Sequence, residues 1–73
     1  MQEEMSVTAP MPGFIREILK KVGDRVEEDD ALMIIEAMKM ENPILAPKSG
    51  MVKEIRVKSG DQVDTTTILA VIR

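Results

Sequence analysis

The run Glu36-Ala37-Met38-Lys39-Met40 is where residue type and position together suggest chemistry. Lys39 ends in a primary amine on a long, unbranched stem, the form of side chain that an extended amide-linked arm requires. An ammonium group is not a nucleophile, so acylation of the amine needs a separate protein to remove its proton. Lys20, Lys21, Lys48, Lys53 and Lys58 offer the same amine and read as solvated surface charges. Other chemistry has few carriers here. Histidine and cysteine are both absent, which removes thiol nucleophiles, disulfides, most zinc sites and the side chain best suited to proton transfer at neutral pH. Ser6, Ser49 and Ser59 would need a lysine base to act as nucleophiles, and no motif supplies one. The expectation is a protein with no catalytic residues and no metal site of its own.

The elements that must position Lys39 form one small unit. At 73 residues the chain can build a single compact core. Its net charge of -3 arises from interspersed signs rather than a basic stripe, and Phe14 is its one aromatic residue, so neither a phosphate footprint nor a base-stacking platform is present. No apolar stretch approaches the ~20 residues of a membrane span. Met1-Gln2-Glu3-Glu4 lacks the basic and apolar regions of a signal peptide, so the expected setting is cytoplasmic, without nucleic-acid binding or membrane insertion.

An internal repeat organises the chain. Ala9 to Glu36 lies over Ala46 to Arg73 without a gap, with identical pairs Ala9/Ala46, Pro10/Pro47, Gly13/Gly50, Glu17/Glu54, Ile18/Ile55, Lys21/Lys58, Gly23/Gly60, Asp24/Asp61, Val26/Val63 and Leu32/Leu69. The matched Pro and Gly positions fix where the backbone turns. Each half reads as short strands: Phe14 to Leu19 and Met51 to Val57, then Ala31 to Glu36 and Ile68 to Arg73, with Val7 and Ile44 marking a strand before each Ala-Pro. Taken alone, Ala31 to Glu41 favours a helix, since it is rich in helix formers and Leu32, Ile35 and Met38 fall at helical spacing. Its repeat partner Ile68-Leu69-Ala70-Val71-Ile72 is β-branched and cannot share that helix, so the segment is assigned to a strand. The expected fold is all-β: a flattened barrel-sandwich of two four-stranded antiparallel sheets with a pseudo-two-fold axis, and repeat halves 6–36 and 43–73.

Ala37 to Glu41 has no counterpart inside the repeat and must join the halves as an exposed hairpin with Lys39 at or beside its tip. The pseudo-two-fold relates this hairpin to the start of the first strand and the end of the last. Both chain ends are therefore expected opposite Lys39.

Glu36-Ala37-Met38-Lys39-Met40 resembles the biotinyl-lysine motif of biotin carboxyl carrier domains, and Ala9-Pro10-Met11-Pro12-Gly13 with Val22-Gly23-Asp24 resembles their framework. The resemblance runs from about Ser6 to Arg73, giving a carrier domain over 6–73 behind a short flexible segment at 1–5. It implies that a biotin protein ligase joins biotin to Lys39. A biotin carboxylase, then a carboxyltransferase or decarboxylase, would be the working partners of a monomeric, non-catalytic domain that shuttles a carboxyl group. Met38 and Met40 then read either as an adaptable partner-facing pair or as hairpin core, and Glu36 as orienting the hairpin or meeting the ligase. Glu36 and Ala37 join the site through the resemblance. The short Gly13 to Gly23 interval resembles the thumbless kind of carrier. Where the family commonly has glycine, Asp29 and Thr66 stand instead, and the poor tolerance of threonine for left-handed backbone implies a different turn at Thr66. Lipoyl carriers share the architecture but resemble Asp-Lys-Ala at the lysine, unlike Met38-Lys39-Met40; an unmodified adaptor module of the same fold is the other alternative.

Overall fold

The computed structural model describes residues 3–73. Eight strands follow in order: β1 (Met5–Thr8), β2 (Gly13–Ile18), β3 (Arg25–Val26), β4 (Ala31–Ala37), β5 (Met40–Leu45), β6 (Gly50–Ile55), β7 (Gln62–Val63) and β8 (Ile68–Ile72). They build two four-stranded sheets, ordered β5-β4-β2-β7 and β1-β8-β6-β3, and every pairing is antiparallel. The repeat carries one order onto the other. Each sheet takes strands from both halves, so the halves are interleaved and neither completes a sheet alone. Of the segment expected at 1–5, residues 1 and 2 lie outside the described residues, while Met5 pairs with Ile72.

Repeat-related side chains fill the core: Val7/Ile44, Ile15/Val52, Val26/Val63, Leu32/Leu69 and Ile35/Ile72 are all buried, and no polar residue is buried among those described. The strand assignment of Ala31 to Glu36 holds, and bulges explain its helical appearance. Ala31 pairs with Leu45 and Met33 with Ile44, leaving Leu32 as an extra residue. Leu69 is likewise extra between Ile68, which faces Thr8, and Ala70, which faces Val7. Each bulge buries two consecutive side chains, Leu32-Met33 and Leu69-Ala70, and so breaks the alternation that marks an ordinary strand.

Turns also repeat, with one difference. Asp24 and Asp61 each accept a hydrogen bond from the amide three residues earlier, Lys21 at 2.9 Å and Lys58 at 3.0 Å. At the next turn Asp29 adopts a φ of 72°, whereas Thr66 avoids positive φ, in keeping with the expected change of geometry. There the Asp64 carboxylate accepts from the Thr66 amide at 2.9 Å and the Thr66 hydroxyl at 2.7 Å. These bonds, the Thr66 hydroxyl foremost, hold the Asp64 carboxyl below its ordinary pKa. A lowered folded-state pKa contributes stability above the ordinary carboxylate value that is lost as pH falls through the folded one. The urea midpoint of the wild type should therefore exceed that of Asp64→Asn at neutral pH, with the gap narrowing below about pH 4.

The strand path separates the two ends of the molecule. β4 climbs to the Lys39 hairpin beside Gly13, where a Cβ would drive into the Glu36 carbonyl. β2 departs from Gly13, and the chain continues to β3, where Arg25 pairs with Met51. Met51 exchanges two backbone hydrogen bonds with Arg73. Arg73 and its neighbour β1 thus occupy the end remote from Lys39. The link from β2 to β3 is a single turn with no protruding insertion, the thumbless form.

Candidate functional site

Lys39 occupies a two-residue turn. Ala37 pairs with Met40 across the β4–β5 hairpin, leaving Met38 and Lys39 as the connection. Their φ angles are 54° and 64°, and two positive φ values in a two-residue hairpin loop mark a type I′ turn. Such turns favour Asn-Gly, because left-handed backbone costs an ordinary residue roughly 1–2 kcal/mol. This hairpin places two long side chains there. The twist of β4 and β5 fits a primed turn, and Ala37, only 4% exposed, roots it in the interior. Asn tolerates positive φ better than methionine, so Met38→Asn should stabilise the domain by about 0.5 kcal/mol, measured as a higher urea midpoint.

The turn and the first residue of β5 stand outward. Met38 is 85% exposed and Met40 65%. The hairpin-core alternative for these methionines is therefore not realised; they stand as an apolar pair on either side of the amine. Lys39 is exposed and forms no ion pair among the described residues. An amide-linked arm fits such a position, since the amine has no ionic partner to give up and the surrounding surface is open. No group in the turn could serve as a general base.

Glu36, one step below Ala37, points to the outer face of the sheet. Its carboxylate lies 3.2 Å from Arg16 of β2, and the same guanidinium lies 3.1 Å from Glu41 of β5. Beside the hairpin a cleft of about 280 Å³ is bounded by Pro12, Gly13, Phe14, Gln62 and the motif residues from Glu36 to Lys39, Phe14 being the register partner of both Glu36 and Gln62. The expected site residues Glu36, Ala37, Met38, Lys39 and Met40 thus fall together at one end, with Ala37 serving as the anchor. Sequence reasoning missed Arg16, Glu41, Phe14 and Gln62. Residue type gives no signal for Arg16, whose reach depends on register; Gln62 reaches the hairpin only because β7 of the second half pairs with β2.

Comparison with known proteins agrees with this geometry. The family model described as "Biotin-requiring enzyme" matches residues 1–72. The chain is 59% identical over 39 residues to a biotin carboxyl carrier protein of Streptococcus mutans, an alignment covering 53% of this chain and 30% of that protein. It is 55% identical over 40 residues to the glutaconyl-CoA decarboxylase gamma subunit of Acidaminococcus fermentans, covering 55% and 28%. These matches span under a third of either relative. The crystal structure of Kluyveromyces lactis urea carboxylase superposes on the whole chain with a TM-score of 0.92 at 37% identity, using 6% of that enzyme. The chain belongs to the biotin-requiring enzyme family.

Proposed function

We propose that Lys39 bears biotin through an amide, and that the domain, residues 6–73 behind a short segment at 1–5, moves a carboxyl group between two active sites of a biotin-dependent enzyme. When bound, biotin supplies the ureido nitrogen on which a carboxyl group can be held and released. The observation that carries the reading is the exposed Lys39 at the tip of a strained turn, at the end of the molecule remote from Arg73. A chain joined to a larger enzyme through its ends would leave that tip free to travel.

The residues divide the work accordingly. Lys39 provides the attachment atom and the stem. Met38 and Met40 present flexible, polarizable surface to successive partners, a property suited to contacts that must form and dissolve repeatedly. Ala37 locks the turn to the core, and Glu36 orients the hairpin for a biotin protein ligase. That ligase supplies the base which deprotonates Lys39. Proposed later partners are a biotin carboxylase and a carboxyltransferase or decarboxylase, by likeness to the carrier protein and decarboxylase subunit above. The domain itself is proposed to be monomeric, non-catalytic and cytoplasmic, where an ATP-dependent carboxylase finds its nucleotide.

Incubation with a biotin ligase, ATP and biotin should render nearly all of the domain retainable on streptavidin, and omission of biotin should leave none retained. Absence of retention, or a lipoyl adduct formed by a lipoate ligase in its place, overturns the assignment.

A further inference from the structure

A charge arrangement at the base of the hairpin is absent from its symmetry mate. Glu36 and Glu41 face each other directly in the β4–β5 register. Like charges so placed repel and destabilise a sheet. Arg16 of β2 joins them, lying 3.2 Å from Glu36 on the adjacent β4 and 3.1 Å from Glu41 on β5, one strand further. Its reach depends on a bulge: Ile15 pairs with Ile35 and Glu17 with Ile34, so Arg16 is the extra residue of β2. Bulges re-aim side chains. Ser59 reinforces the bulge by donating its hydroxyl to the Arg16 carbonyl at 3.0 Å.

The repeat keeps the bulge but changes one charge of the three, Arg73 standing where the first half has Glu36, and so reverses the sign of the cluster's net charge. Lys53, the mate of Arg16, is the extra residue of β6, between Val52 facing Ile72 and Glu54 facing Val71. It meets Glu4, the mate of Glu41, and Arg73, the mate of Glu36, lies 3.9 Å from the same carboxylate. Two carboxylates share one cation beside Lys39; two cations share one carboxylate at the other end. Two ends of nearly the same backbone therefore present opposite side-chain charge.

We propose that Arg16 is a positioning residue for Lys39 modification, clamping Glu36 and Glu41 into the fixed acidic face that the biotin ligase meets beside the amine. The inference rests on the reading of Lys39 as the attachment point. Arg16 touches neither the amine nor biotin and acts through the two carboxylates. A guanidinium can engage two carboxylates from different edges of its plane, which a glutamine cannot do.

The test is steady-state kinetics of a biotin ligase with the full domain as variable substrate. Exposed ion pairs are individually weak, so Arg16→Gln should raise KM roughly three- to ten-fold with kcat unchanged. Lys53→Gln, which opens the mate cluster, should leave both constants at wild-type values. In a Glu41→Gln background, where the repulsion is gone, Arg16→Gln should shift KM less than about two-fold, the non-additivity expected of coupled groups. Unchanged KM in Arg16→Gln, an equal defect in Lys53→Gln, or an undiminished defect in the Glu41→Gln background overturns the proposal. Failure of the wild-type domain to accept biotin at all would instead refute the Lys39 reading.

Discussion

Lys39→Arg should abolish biotin incorporation completely while leaving the unfolding free energy from urea titration within about 0.5 kcal/mol of wild type, the usual range for a surface exchange. Arginine keeps the positive charge and a long stem, but its guanidinium is not deprotonated in proteins and offers no amine nucleophile. The substitution thus separates the chemistry of position 39 from its electrostatics. The fold should be indifferent, because the side chain is exposed and forms no ion pair among the described residues. Arginine at φ 64° meets the same left-handed backbone that lysine already occupies. Residual incorporation would have to come from another lysine. Lys20 and Lys48 are the informative places to look, since neither lies in a two-residue turn.

Leu32→Ala and Leu69→Ala should each destabilise the domain by about 2–5 kcal/mol, by comparable amounts. A chain of this length has a total stability on the order of 4–11 kcal/mol, so either change removes a large share of it. The equivalence is the point of the experiment. Leu32 is 2% exposed and Leu69 0%, both are extra residues of matching bulges, and the repeat superposes one upon the other. Urea titration by circular dichroism measures the two losses. A severe loss for Leu32→Ala with a mild one for Leu69→Ala would mean that the β1–β8 end contributes little, and that the pseudo-two-fold describes the backbone but not the energetics.

Much of this structure was legible in the sequence because the repeat could be read residue by residue. Paired Pro and Gly positions located the turns, and the β-branched Ile68 to Ile72 corrected the helical appearance of Ala31 to Glu41. The helical spacing of Leu32 and Ile35 had a specific cause: a bulge at Leu32 puts Leu32 and Met33 both inside, and a period of two is lost for that reason, while Met38 falls on the same spacing as an exposed turn residue. Bulges leave no composition mark, which is also why Arg16 went unnoticed. Its reach to Glu41 follows from an unpaired residue on β2, visible only once the register is known. The hairpin itself was readable from the break in the repeat. Its turn type was not, since Met38-Lys39 lacks the Asn-Gly chemistry that normally announces a type I′ turn. The exposure of Met38 and Met40 is a consequence of that turn, and so their choice between core and surface could not be settled from residue type.

Peptide mapping after co-expression with a biotin ligase tests the central claim most directly. The account predicts one biotin per domain, on the peptide containing Met38-Lys39-Met40 and on Lys39 within it. Unmodified protein under conditions that biotinylate a control carrier, or an adduct located on Lys20 or Lys48, would contradict it.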